Sequence, residues 1–154
     1  MRRAVLALLL PAAALAACTT ETPPTVATRP PGEVYQAPDA SFLFVRPPNW
    51  RGQIIPRPAG PVGGASGAVE MRLRNLDVAQ QQTVFTIYTF APGAWRSLGD
   101  SAASVGSVVF EDSARVLVAA LPAANPYPDM TPAAMRFDSL SLPLDTIRAR
   151  IIVR

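Results

Sequence analysis

Between residues 42 and 153 the apolar positions fall into short runs whose period changes along the chain. Phe42 to Arg46 reads as a first strand, with Phe42 and Phe44 on one face and Leu43 and Val45 on the other. Pro47-Pro48 closes it, since proline cannot extend a ladder. Trp50 follows, and Gly52 to Ile55 adds a short edge strand before Pro56 and Pro58. Gly60 to Gly67 carries four glycines and one proline and reads as a loop. Ala68 to Arg74 alternates cleanly. Val69, Met71 and Leu73 point one way and Glu70, Arg72 and Arg74 the other, as a half-buried strand requires. Asn75 to Gln82 is polar and turn-like. Thr83 to Phe90, with Val84, Phe85, Ile87, Tyr88 and Phe90, is the strongest strand signal.

Pro92 to Gly99 predicts one or two helical turns carrying Trp95 and Leu98. Val105 to Phe110 and Ala114 to Ala120 form a hairpin pattern about Glu111-Asp112-Ser113. Three prolines mark Leu121 to Met130 as a loop. Thr131-Pro132 is an N-cap followed by proline at the first helical position, and Ala133 to Leu140 continues with Ala133, Phe137 and Leu140 on one stripe. Pro143 ends that helix. Ile147 to Val153 alternates again, with Ile147, Ala149, Ile151 and Val153 inward, and predicts a closing strand. The order of elements predicts an α+β fold, a mainly antiparallel sheet of six or seven strands with one or two short helices.

Ahead of this pattern lies a different one. Arg2 and Arg3 precede an uncharged apolar stretch, Ala4 to Ala17, of 14 residues broken by Pro11. A membrane-spanning helix needs about 20, whereas the h-region of a secretory signal is this short. Leu15-Ala16-Ala17-Cys18 resembles the lipobox of bacterial lipoproteins. The resemblance implies that residues 1–17 are a cleaved signal peptide and that Cys18 carries a diacylglyceryl group on sulfur and an acylated amine. Each buried methylene contributes about 0.8 kcal/mol, so two or three chains anchor firmly. Thr19 in place of Asp implies, by the sorting rule of enteric bacteria, the outer membrane facing the periplasm. The covalent lipid is then the only prosthetic group expected. Residues 18–40 read as the lipidated cysteine and a disordered linker, with Pro23, Pro24, Pro30, Pro31 and Pro38 and too little apolar surface to offset ordering. Residues 41–154 are the right length for one domain.

Phe42-x-Phe44-x-x-Pro47-x-x-Trp50, a later strand running into Trp95, and Asn125-Pro126-Tyr127 before a terminal helix and strand together form a wider pattern. It resembles uncharacterised bacterial lipoproteins with an early Pro-x-x-Trp motif and, more loosely, PsbP-like α/β sandwiches. This resemblance implies a fold and carries over no functional residues.

Composition narrows the chemistry. All 14 basic residues are arginine, there is no histidine or lysine, and Cys18 is the only cysteine. Ser-His-acid, Cys-His and Ser-Lys constellations cannot be assembled, and zinc or copper sites lack their usual ligands. No Gly-rich phosphate loop follows a strand. Without Arg2 and Arg3, 12 arginines face 11 acids, a balance that does not point to nucleic acid. Carboxylate chemistry remains open. A hydrolase acting on an envelope glycan would need two acids about 5 to 9.5 Å apart in a cleft, drawn from Glu70, Asp77, Asp100, Glu111, Asp112, Asp129, Asp138 and Asp145.

Two groups invite a binding reading. Trp50, Trp95, Tyr88 and Tyr127 can line a groove for a glycan or peptide, although the usual burial of tryptophan favours core packing. Arg72, Arg74, Arg148, Arg150 and Arg154 form a basic face if the strands at 68–74 and 147–153 are neighbours. Such a face suits lipid A phosphates, anionic lipid head groups or peptidoglycan carboxylates through bidentate guanidinium contacts, and an envelope protein is a further candidate partner. A non-catalytic, membrane-anchored binding or scaffold domain is the function these features favour.

Overall fold

In the computed structural model, which describes residues 33–75 and 81–153, the chain runs in the following order. It begins with β1 (Val34–Gln36), β2 (Leu43–Val45), β3 (Ile54–Pro58), β4 (Gly67–Leu73) and β5 (Thr83–Phe90). Then come α1 (Pro92–Ser97), α2 (Ala102–Val105), β6 (Ser107–Glu111), β7 (Val116–Ala120), α3 (Pro132–Leu140), α4 (Leu144–Ala149) and β8 (Ile151–Ile152). The fold is α+β. The strands make two antiparallel sheets, one ordered β1-β2-β8 and the other β3-β4-β5-β7-β6.

The central strands of the five-stranded sheet, β5 and β7, are apolar on both faces. On β5, Phe85 and Ile87 face the main core while Tyr88 and Phe90 face a second cluster. On β7, Leu117 and Ala119 join the first and Val116 and Val118 the second. This is the alternation of a strand, with both sides buried. Two bulges refine it. The register steps from Met71–Phe85 to Arg72–Thr83 and from Val108–Val118 to Phe110–Leu117, leaving Val84 and Val109 as extra residues. Both are re-aimed into the main core. There β2, α3 and α4 cover the sheet with Phe42, Phe44, Phe137, Leu140 and Ile147. On the opposite face Trp95, Leu98 and Val105 from the 92–105 segment cover only the end near Phe90.

β3 is an edge strand, which its prolines permit. Ala59 N donates to Ala68 O at 3.0 Å, so by alternation Ile55 and Arg57 bond to β4. Pro56 and Pro58 turn their missing donors to the open edge.

Three expectations differ from what the chain does. The sheet is divided in two, because β1 and β8 both pair with β2 rather than extend the larger sheet. The composition-based linker reading covers residues that fold, since Tyr35 packs on the core and Ala37 is buried. Ile147 to Ala149, expected as strand, is helical, and only Ile151 and Ile152 pair as strand. Pro143 is the N-cap of α4, with Asp145 in its first turn and Arg148 in its last. Leu144 and Ile147 pack on the core one helical turn apart, while Ala149, expected inward, is exposed. Residues 76–80 of the stretch expected to be a polar turn, Asp77 included, lie outside the described residues, as do Cys18 and Arg154.

Candidate functional site

Trp50 is fully buried, with its ring 5.7 Å from Phe44 and 5.8 Å from Phe85 and its Nε1 donating to Leu140 O at 2.9 Å. It is a core residue and lines no groove. Tyr127 packs edge-on against Phe137 at 6.0 Å on the same side of the large sheet. Trp95 packs at a tilt against Phe90, with ring centroids 5.2 Å apart, and Tyr88 lies 6.4 Å from the same ring, on the other side of the sheet. The sheet separates the two pairs, so the four aromatic residues form no common surface. Burial pushes the phenol of Tyr127 above its ordinary value, against the opposing pull of Arg136.

The expected arginine face does not form either, because β4 and β8 belong to different sheets. Arg72 donates to Gln81 O at 2.7 Å and lies 3.6 Å from Glu70. Arg148 bonds to Asp145 and to Val108 O, and Arg150 donates to Val45 O at 3.2 Å. Arg74 stands apart from these beside Arg136, whose Nη2 donates to Arg74 O.

The acids are dispersed. Asp112 Oδ1 accepts from Ala114 N and Arg115 N and shapes the β6–β7 turn, Asp138 accepts from Asn125, and Asp145 pairs with Arg148. Glu70 pairs with Arg72 on the open sheet face. Among the described residues no three His, Cys, Asp or Glu side chains group as a metal site.

Two described carboxylates, Glu33 and Asp39, lie in the stretch that reads as linker and are missing from the candidate acids. A cleft of about 260 Å³ opens between the β1–β2 turn and the β3–β4 hairpin, bounded by Ala37, Asp39, Phe42, Pro58, Pro61 and Thr89. Asp39 Oδ1 accepts from Ser41 N at 3.0 Å and from Ser41 Oγ at 2.6 Å. Ser41 Oγ lies 3.3 Å from Thr89 Oγ1, and Arg115 Nη1 donates to Ser41 O at 2.6 Å. The chemistry is that of a turn. A side-chain acceptor satisfies a backbone donor two residues on, and the serine hydroxyl meets a carboxylate without the basic partner that activates a nucleophile. Burial, with the Asp39 charge adding to it, raises the phenol pKa of nearby Tyr35.

The chain matches no protein-family model, no curated protein and no solved structure.

Proposed function

We propose that the chain is a lipid-anchored protein of the bacterial cell envelope whose α+β domain binds or stabilises an envelope partner and is not a catalyst. The observation that carries this reading is Leu15-Ala16-Ala17-Cys18, placed after two arginines and a 14-residue apolar run. The absence of histidine and lysine from the sequence supports the non-catalytic half. So does the use of Asp39, Asp112, Asp138 and Asp145 in local hydrogen bonds or ion pairs at separate places in the fold. The outer membrane, facing the periplasm, is the proposed location.

Cys18→Ser tests the anchor. The expected result is loss of metabolic lipid labelling and release of the chain from the membrane fraction, because acyl chains supply the binding energy. Retention of the variant in that fraction refutes the reading.

A further inference from the structure

We propose that the end of the domain where the linker joins is a basic platform that lies on the anionic lipid heads of the membrane carrying the anchor. The proposal rests on the lipid-anchor reading above. Glu33 begins the described chain. Arg46 pairs with its carboxylate, Arg51 Nε lies 3.5 Å from its other oxygen, and Arg150 donates to the carbonyl of Val45 beside Arg46. From Arg51 the basic strip continues through Gln53. Gln53 Oε1 accepts from Arg136 Nε at 3.0 Å and Gln53 O accepts from Arg74 N at 2.7 Å. Arg74 and Arg136 bound a shallow concavity of about 340 Å³ with Gly52 and Asn75. Arg46 and Arg51 thus share Glu33, Arg150 adjoins Arg46 through the Val45 carbonyl, and Arg74 and Arg136 adjoin each other beside Gln53.

Charge and tether both give this strip its direction. Even with Asp77 counted against it from outside the described residues, the strip holds five arginines against two acids. The remainder of residues 18–154 then has 7 arginines against 9 acids. A near-neutral total conceals a polar molecule. Arg51, Arg74 and Arg136 are exposed, and no ion pair among the described residues holds the Arg74 guanidinium. Fourteen residues, 19–32, separate Cys18 from Glu33, a reach of about 45 Å even as polyproline II. The platform therefore stands at the end of the domain to which the anchor is tethered. Asp39, Glu111 and Asp112 stand at the other end of β1 and β2, where Arg115 bonds to Ser41 O.

An arginine close to an anionic leaflet strengthens surface binding about fivefold. The test uses the full lipidated chain in phosphatidylcholine nanodiscs, with or without phosphatidylglycerol, both carrying a gadolinium-headgroup lipid. Amide signals of Arg51 to Gln53 and of Arg136 should broaden more than those of Asp112 to Arg115 only when phosphatidylglycerol is present. The difference should vanish at high salt. The exposed-site variants Arg51→Gln and Arg74→Gln should each lower the docking equilibrium about fivefold. Equal broadening in both nanodiscs, or broadening centred on the 112–115 turn, overturns the platform. A chain that does not co-purify with nanodiscs of either kind overturns the anchor, and the platform with it.

Discussion

Trp50 ties together two distant stretches of chain, since its ring packs between Phe44 and Phe85 while its indole nitrogen holds the last carbonyl of α3. Trp50→Phe keeps an aromatic ring but leaves a void and an unpaired buried acceptor at Leu140. The expected cost in urea unfolding is about 2 to 4 kcal/mol. Trp95→Phe removes a smaller share of a half-buried contact and should cost under about 1 kcal/mol. Two glycines make a sharper contrast. Gly106 has φ +153°, and a Cβ there would sit 2.5 Å from Ala119 O, a backbone atom with nowhere to go. Gly106→Ala should destabilise by about 2 kcal/mol or more. Gly93, inside α1, has open space about it, so Gly93→Ala should stabilise by up to about 1 kcal/mol. Thermal melts of the two variants that shift in the same direction would contradict this account.

At the scale of elements, the segment 144–149 is where periodicity misled and where a sign test is available. Thr146→Ala in a helix should raise stability by about 0.5 kcal/mol, because the β-branched side chain loses rotamer freedom there. In a strand the same change would lower it. The N-cap of α3 was legible from Thr131-Pro132, and the structure places Thr131 Oγ1 at 3.1 Å from Ala134 N. Thr131→Ala should cost about 1 kcal/mol in chemical denaturation. β4, β5 and the β6–β7 hairpin were also legible, because period-2 alternation is a local property of sequence. The pairing of β8 with β2 was not, since it joins residues more than a hundred apart, and β1 was hidden within a proline-rich stretch that reads as linker. The arginine platform was hidden for the same reason. Arg136 reaches Gln53 and the Arg74 carbonyl across 83 and 62 residues of sequence, whereas the pairing of Arg148 and Arg150 with Arg72 depends on reading 147–153 as a strand.

For the molecule as a whole, the same residue usage that removes most catalytic options simplifies its response to pH. With no histidine, no side chain of ordinary pKa titrates between roughly pH 6 and 8, and stability should be flat there. With no lysine either, and arginine charged throughout, the alkaline limb depends chiefly on tyrosines. Burial raises the phenol of Tyr35, and the Asp39 carboxylate pushes it the same way, while burial also raises Tyr127. The folded state therefore holds these protons more tightly than the unfolded chain, whose tyrosines titrate near about pH 10. The resulting stabilisation is fully present below that pH and is lost as pH rises through the higher folded-state values. Tyr35→Phe should flatten the fall in unfolding free energy measured by urea titration between about pH 9 and 11. An alkaline slope identical to that of the parent protein would show that folding leaves the Tyr35 phenol unshifted and that neither burial nor Asp39 acts on it.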